Sequence, residues 1–242
     1  MTVAGVLAGD RVLEVGPGLG SLTLALLQAG ASVVAVEIDA VLAGALPQTV
    51  ASRGGGSLPL DVVTADAVTL TAADLPGAPP TRFVANLPYN VAVPVLLGAV
   101  ERVPSLTSGI VMVQAEVGRR LAAPPGSRVY GAPSVKIAWW AEVSLAGAVS
   151  RTVFWPVPNV DSLLVRFVRR EPPGDEQLRL RTFQLIDAAF GQRRKTLRAA
   201  LAGLFGSGAV AEEALRSAGL DPGARGETLA VTDFARLAVA AP

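Results

Sequence analysis

The chain has 242 residues, of which 51% are hydrophobic, and a formal net charge of +1. That length and apolar content suffice for one large domain, or for a main domain with a smaller one. The chain contains no cysteine and no histidine, which excludes disulfides, thiolate nucleophiles, histidine metal sites and imidazole acid–base catalysis. We expect no metal site, so any chemistry must rely on carboxylates, amides, hydroxyls, arginine or a cofactor.

Nothing in the sequence predicts a membrane segment or an export signal. No apolar stretch of about 20 residues is free of glycine, proline or charge. The N-terminal MTVAGVLAGDRV lacks a basic start followed by a long apolar run. We therefore expect a cytoplasmic protein, which the lack of cysteine also favours. The charge is uneven, since residues 1–150 carry eight basic and ten acidic side chains and residues 151–242 carry thirteen and ten.

The first two-thirds of the chain alternates short apolar runs with helical patterns, which is typical of a doubly wound α/β domain. The predicted strands lie at 11–15, 32–36, 60–66, 82–89, 109–114, at the end of 134–149, and at 161–170. The predicted helices lie at 21–29, 39–46, 116–123 and at the start of 134–149.

A charged segment with two prolines, EPPGDEQ (171–177), predicts a linker. Beyond it the apolar period becomes that of α-helices. These helices are predicted at 178–190, 193–205, 210–220 and 232–240. The predicted fold is therefore an α/β, Rossmann-like, mostly parallel sheet domain over residues 1–171 with a small all-helical C-terminal domain over residues 172–242.

A glycine-rich turn follows the first predicted strand and opens a helix. Glu14, Gly16, Gly18 and Gly20 form the pattern E-x-G-x-G-x-G. Glycines let backbone N–H groups approach a nucleotide-like ligand at the positive end of a helix. The dinucleotide pattern G-x-G-x-x-G would need a glycine where Ser21 stands. We therefore assign Glu14, Gly16 and Gly18 to a site for S-adenosylmethionine rather than NAD; a plain glycine-rich turn is the alternative.

Acidic residues follow the second and third predicted strands. Glu37 stands about twenty residues after the glycine turn, where an acid accepts hydrogen bonds from ribose hydroxyls. Asp66 is suited to accept a hydrogen bond from an adenine amino group. Ligands of open α/β sheets lie beyond the carboxyl ends of the strands, so we assign both acids, with Ile38 and Ala67, to the cofactor site. Asp39 is instead predicted to cap the next helix.

The fourth predicted strand runs into Asn86, Leu87, Pro88 and Tyr89. An exocyclic amine on a base is a poor nucleophile because its lone pair is delocalised. The Asn86 oxygen and a main-chain carbonyl near Leu87–Pro88 would accept its two N–H hydrogens, with Pro88 fixing the backbone. Tyr89 would stack on an extruded base, worth about 1–3 kcal/mol against an extrusion cost of similar size. These residues predict catalysis without a general base; the alternative is a proline turn with Tyr89 packed inward.

Two further clusters carry weaker predictions. The segment FWPVPNVDS (154–162) predicts a rigid loop beside a target-base pocket, with a simple packing loop as the alternative. Arg193, Arg194, Lys195 and Arg198 stand at a predicted helix start, where contacts to RNA phosphates are reasonable. A solvated basic helix face is the alternative for this second cluster.

Taken together, these stretches resemble the KsgA-type rRNA adenine N6,N6-dimethyltransferases. The matching strings lie between Val12 and Arg198, and they are VLEVGPGLGSLT, VVAVEID, TADAV, FVANLPYN, WPVPNVDS and AAFGQRRKTLR. The string ARGETLAVTDFARLA resembles the last helices of the family. The NLPYN and QRRKTLR strings are far more specific than the glycine turn. The family's usual segment before the first strand, with a Gln/His-x-Phe-Leu stretch that closes over the cofactor, has no counterpart before RVLEV.

The resemblance implies a class I S-adenosylmethionine-dependent methyltransferase. It implies methyl transfer to two adjacent adenines near the 3′ end of small-subunit rRNA, in the immature small ribosomal subunit. It also implies that Gly16 lines the cofactor, Glu37 binds its ribose and Asp66 binds its adenine. Asn86 is implied at the methyl-transfer end, and Tyr89 is implied to stack on the substrate base. We expect the protein to be a monomer.

Three other functions compete with this one. The related macrolide-resistance methyltransferases share the sheet and the N-x-P-Y motif but modify an adenine of large-subunit rRNA. An RNA-binding ribosome-assembly factor without turnover would fit the missing first segment. An NAD dehydrogenase is disfavoured by Ser21 and by the lack of a residue suited to hydride-transfer acid–base work.

Overall fold

A computed structural model of the chain describes residues 4–54, 58–154 and 157–241. The chain divides into two compact units. The first contains the residues up to Gly118 together with Glu142–Arg169, and the second contains Arg119–Ala141 together with the residues from Arg170 onward. This division differs from the predicted ranges 1–171 and 172–242, because it places residues 119–141 in the second unit. That the two predicted ranges fold as separate domains stays a prediction.

The described part of the chain contains seven strands that form one sheet. They are β1 (Arg11–Val15), β2 (Ser32–Glu37), β3 (Leu60–Thr64), β4 (Arg82–Asn86), β5 (Ser108–Gln114), β6 (Ala141–Val149) and β7 (Ser162–Arg169). Their order is β3-β2-β1-β4-β5-β7-β6. The first five strands of that order pair in parallel, and β7 pairs antiparallel with β5. The predicted α/β fold with a mostly parallel sheet is confirmed.

The central strands are apolar on both faces, as parallel strands covered by helices must be. Val12, Leu13, Val33 and Val34 are all fully buried. This explains why the first two strands were predicted almost to the residue: a continuous valine- and leucine-rich run bounded by turn residues has few other interpretations. The core therefore lies directly beneath the turns that follow β1 and β2.

The fourth strand is shorter than predicted. Its predicted end at residue 89 is wrong, because β4 ends at Asn86. The Leu87 N–H still donates to the Met112 carbonyl, at 3.2 Å, but Pro88 has no N–H with which to continue the ladder. The chain turns there, and the Val91 N–H donates back to the Pro88 carbonyl at 3.2 Å.

Helices α1 (Ser21–Gln28), α2 (Ala40–Gly54) and α3 (Ala92–Arg102) accompany the sheet. Helix α2 was predicted to stop at residue 46 but runs through Pro47 to Gly54. Leu46 and Val50, which flank the proline, are buried in the core, and this packing outweighs the hydrogen bond that proline removes.

Helix α3 was missed in the sequence, although its signal is present. Ala92, Val95, Leu96, Ala99 and Val100 are all buried, and they repeat with the spacing of one helix face. The apolar run after the N-L-P-Y motif therefore carries a helix that returns the chain from β4 to β5.

The second unit contains α5 (Ala132–Ile137), α6 (Glu176–Gly191), α7 (Leu197–Leu201), α8 (Gly208–Ser217) and α9 (Val231–Ala240), while α4 (Ala115–Leu121) begins in the first unit and ends in the second. Aromatic rings form much of its interior, since Trp139 and Trp140 both meet Phe183 edge to face, with centroids 6.1 and 5.4 Å away. Arg179 lies over the Phe183 ring at 5.1 Å.

Within the described residues, no helix has the length and apolar character needed to cross a membrane.

The predicted helix 193–205 is wrong in its extent, because α7 covers only Leu197–Leu201. Thr196 caps it, its side-chain oxygen accepting from the Ala199 N–H at 3.4 Å. The Leu197 N–H donates to the Ala224 carbonyl at 2.8 Å, so residues before Thr196 are not needed to begin the helix. Arg193, Arg194 and Lys195 therefore lie in the turn between α6 and α7.

Candidate functional site

The turns after β1, β2, β3 and β4 meet at one edge of the sheet. The strand order reverses between β1 and β4, and ligands of open α/β sheets bind beyond the carboxyl ends of the strands at such a reversal. A cavity of about 250 Å³ lies there. It is lined by Val15, Gly16, Val36, Glu37, Ile38, Ala65, Asp66, Ala67, Val68, Pro88, Asn90, Val91 and Val95. Five of the predicted cofactor residues thus surround one space, and Asn90 joins them without having been predicted.

The glycine turn has the backbone shape that its sequence requires. Gly16, Gly18 and Gly20 have φ values of 68°, 53° and 86°, which other residues adopt only with strain. Glu37 holds this turn in place, because its Oε2 accepts from the Gly18 N–H at 3.3 Å. Its Oε1 accepts from the Asp39 N–H at 3.1 Å. Glu37 is therefore fixed at the rim of the cavity, with its carboxylate oxygens retaining lone pairs for a ligand.

The two acids beyond Glu37 have different roles. The Asp39 Oδ1 accepts from the Val41 and Leu42 N–H groups, at 2.8 and 3.2 Å, so the predicted cap of α2 is confirmed. Asp66 is exposed at the cavity edge, and its Oδ1 accepts from the Val68 N–H at 2.8 Å. One Asp66 oxygen therefore shapes the turn after β3, and the carboxylate remains accessible to a ligand.

Glu14 does not line the cavity described above; it is buried at 1% exposure, in the middle of the sheet edge. Its Oε2 has no hydrogen-bond partner among the described residues, and neither does the nearby Thr23 hydroxyl. Burial raises the pKa of Glu14 to about 7. A buried carboxyl with an unsatisfied oxygen costs free energy; that Glu14 contacts the cofactor stays a prediction.

The Asn86 side chain is exposed at the end of β4 and lies on a second cavity of about 370 Å³. The described lining of this cavity is otherwise apolar or aromatic, and consists of Ala4, Leu22, Val84, Ala85, Ile110, Met112, Val149, Val153, Phe154 and Leu164. Asn86 is thus the one polar side chain of that lining, and Pro88 borders the first cavity. The alternative of a proline turn with Tyr89 packed inward is met in part, because Tyr89 is half-buried and its hydroxyl reaches the buried Ser162.

The neighbours of Asn86 divide into buried and accessible residues. The Leu87 side chain is buried at 1% exposure, so only its main chain is available for the predicted role. Tyr89 is half-buried, and its hydroxyl lies 2.7 Å from the Ser162 hydroxyl. Ser162 is the last residue of the segment 154–162, but no role was predicted for its side chain. Of the segment 154–162, Trp155 and Pro156 lie outside the described residues.

The four basic residues predicted to contact RNA have unequal surroundings. Arg193 pairs with Glu227 at 2.8 Å and donates to the Arg128 carbonyl at 2.7 Å. Arg198 pairs with Glu212 at 3.2 Å. Arg194 and Lys195 are exposed and have no carboxylate partner among the described residues. Their side chains are therefore accessible to RNA phosphates.

Comparison with known proteins agrees with the fold. Two solved structures are similar over nearly the whole chain. One is a dimethyladenosine transferase from Plasmodium falciparum, with a TM-score of 0.75, 21% identity, and coverage of 98% of this chain and 91% of that one. The other is the 23S rRNA methyltransferase ErmE, with a TM-score of 0.68, 26% identity, and coverage of 99% and 93%. The fold and these neighbours define a class I methyltransferase whose methyl donor is S-adenosylmethionine.

Sequence comparison defines the family. The profile of the family described as ribosomal RNA adenine dimethylase matches residues 3–240. The ribosomal RNA small subunit methyltransferase A of Kineococcus radiotolerans is 64% identical over 99% of this chain and 79% of its own length. The protein of the same name from Leifsonia xyli subsp. xyli is 63% identical over 98% and 84%. The chain therefore belongs to the ribosomal RNA adenine dimethylase family and is an rRNA methyltransferase.

Proposed function

We propose that the protein transfers methyl groups from S-adenosylmethionine to N6 of two adjacent adenines near the 3′ end of small-subunit rRNA, with two methyls on each. It would act as a monomer on the immature small ribosomal subunit in the cytoplasm. The names and the 63–64% identity of the relatives support the target. The observation that carries the chemistry is the exposed Asn86 amide at the end of β4, next to the strand-order reversal.

The residues of the first cavity fit the cofactor. Glu37 is placed to accept hydrogen bonds from ribose hydroxyls and Asp66 from an adenine amino group, with Ile38 and Ala67 providing apolar contact. Gly16 lines the cavity and has a φ of 68°, a conformation that a residue with a side chain adopts only with strain. Glu14 lies outside this lining, and its unsatisfied oxygen is the basis for proposing that it accepts a hydrogen bond from a polar group of the ligand.

Bound S-adenosylmethionine supplies an electrophilic methyl group carried on a sulfonium. The Asn86 oxygen and the main-chain carbonyl of Leu87 or Pro88 accept the two N–H hydrogens of the target amine, which draws its lone pair out of conjugation. Tyr89 stacks on the extruded base. As the N–C bond forms, the S–C bond to the methyl group would break and leave a neutral thioether. The methylated amine is then cationic and loses its proton to water, so no histidine is needed. A monomethylated amine keeps one N–H, and a single acceptor suffices to orient it for the second transfer.

Methyl transfer to immature small subunits tests this proposal. The wild type should incorporate labelled methyl groups from S-adenosylmethionine, and Asn86→Ala should lower kcat by about 100- to 1,000-fold, the usual cost of removing one oriented group at the reacting atom. Gln48→Ala is a matched control, because it removes an exposed amide on α2 that lines neither cavity. Full activity of Asn86→Ala would defeat the proposed chemistry.

A second target has one observation in its favour. ErmE, named as a 23S rRNA methyltransferase, is similar over 99% of this chain. Primer extension across both rRNAs after the reaction separates the two targets, because N6,N6-dimethyladenine stops the polymerase. Stops confined to the large-subunit rRNA would overturn the small-subunit target while leaving the Asn86 chemistry intact.

A further inference from the structure

The N-L-P-Y motif is joined to a distant part of the chain by a side-chain hydrogen bond. The Tyr89 hydroxyl lies 2.7 Å from the Ser162 hydroxyl, and the two residues are 73 positions apart. Ser162 is fully buried, at 0% exposure. A buried hydroxyl without a hydrogen-bond partner costs free energy, and Tyr89 provides the partner for Ser162.

Ser162 is held rigidly within the sheet. It is the first residue of β7 and lies opposite Gln114 in the antiparallel pairing with β5. The carbonyl of the preceding residue, Asp161, accepts from the Ala115 N–H at 2.9 Å. The Ser162 hydroxyl is therefore a fixed point beside the end of β4.

The other end of Tyr89 is also held. The Leu87 N–H donates to the Met112 carbonyl on β5 at 3.2 Å, and the buried Leu87 side chain keeps that main chain in the core. Pro88 restricts the next backbone angle. Because its backbone and its hydroxyl are both held, the Tyr89 side chain is restricted in its orientation. A phenol prefers to hydrogen-bond in the plane of its ring, which also limits rotation of the ring.

We infer that Ser162 is a positioning residue for methyl transfer: its hydroxyl holds the Tyr89 ring in the orientation that stacks on the target adenine. This inference rests on the proposed function. Ser162 does not touch the substrate, and acts only through Tyr89. Since Met112 and Ser162 both belong to the β5–β7 pair, that pair sets the distance between the amide of Asn86 and the stacking ring.

A double-mutant cycle tests this role. Ser162→Ala and Tyr89→Phe each remove the hydrogen bond, and each should lower kcat on immature small subunits by about 10- to 100-fold, the cost of misplacing a reacting group by about 1 Å. The Kd for S-adenosylmethionine should not change, because neither residue lines the first cavity. The double variant should lose no more than either single variant, since both remove one shared interaction.

Two further variants separate positioning from general loss of stability. Ser162→Thr keeps a hydroxyl and should restore most of the kcat that Ser162→Ala loses. Ser108→Ala is the matched control, because Ser108 is a buried serine of β5 whose hydroxyl accepts from Arg82 at the other end of the strand, and it should keep full kcat. Should Ser162→Ala fail to fold, Tyr89→Phe removes the same bond without opening space in the core.

Full kcat in Ser162→Ala or in Tyr89→Phe, beside an active wild type, overturns the inference. Losses that multiply in the double variant do the same, because they show two independent effects. A wild type that transfers no methyl group to small subunits would instead defeat the proposed function, and that result is visible without any variant.

Discussion

At the scale of single residues, the neighbouring strands β1 and β4 carry a buried acid and an exposed amide. Asn86 is accessible at the end of β4, whereas Glu14 is buried with one oxygen unsatisfied. The two environments suit two tasks. An amide has no charge to be neutralised and can accept hydrogen bonds in contact with substrate, while a buried carboxyl responds strongly to the arrival of a cation.

Replacement of Glu14 tests the cost of its burial. The pKa of Glu14 rises from 4.5 to about 7 on folding, so between those pH values the native state binds a proton that the unfolded state does not, and stability falls as pH rises. Glu14→Gln mimics the neutral form and should remove that loss. The difference in free energy of unfolding between Glu14→Gln and the wild type should become more favourable to the variant from pH 4.5 to pH 8, by up to about 3 kcal/mol. Urea unfolding at both pH values measures this difference, and a difference that does not change with pH contradicts the shift.

At the scale of elements, the turns after the strands combine structural and ligand-binding acids. Glu37 supports the glycine turn through Gly18 and also lines the cavity. Asp39, two residues later, caps α2 and does not line the cavity. Position after a strand therefore does not by itself identify a ligand-binding acid; the partners of the carboxylate do.

Asp39→Ala should separate these roles. Loss of the cap should lower the free energy of unfolding by about 1 kcal/mol, as measured by urea unfolding, without changing the Kd for S-adenosylmethionine. Asp39→Asn retains a good capping side chain and should restore the stability. A weaker Kd with unchanged stability would show instead that Asp39 binds the cofactor.

At the scale of the whole molecule, the net charge of +1 conceals an excess of basic residues after residue 150. Several of these basic residues pair with acids of the second unit, as Arg193 does with Glu227 and Arg198 with Glu212. Arg194 and Lys195, in the turn before α7, are exposed and have no carboxylate partner among the described residues. Affinity for RNA should therefore depend on particular residues rather than on the net charge.

The double variant Arg194→Ala/Lys195→Ala tests this dependence. We expect a higher KM for the RNA substrate with unchanged kcat, and a slope of log affinity against log salt that is smaller by about 1.4 to 1.8 for two lost phosphate contacts. Filter binding across a salt series measures the slope. Arg236→Ala is a matched control, because Arg236 is exposed but paired with Asp233. An unchanged slope in the double variant would remove this turn from the RNA interface.

Much of the fold could be predicted because its determinants are local. The runs that became β1 and β2 are apolar enough to be buried on both faces, and the glycines at 16, 18 and 20 stand where the backbone adopts positive φ. The predictions failed where packing or distant bonds outweighed local preference. Helix α2 continues through Pro47 because Leu46 and Val50 are buried, and α7 begins late because its first N–H groups bond to residues 222 and 224.

The sequence by itself determined which chemistry was available, since a chain without histidine or cysteine must use amides and carboxylates, and it determined the order of the strands along the chain. Only the tertiary structure decided that Ser162 forms a hydrogen bond with Tyr89 and that Glu14 is buried away from solvent. Both depend on which strands pair and in what register, and pairing between residues 73 positions apart leaves no trace in the local pattern of either segment.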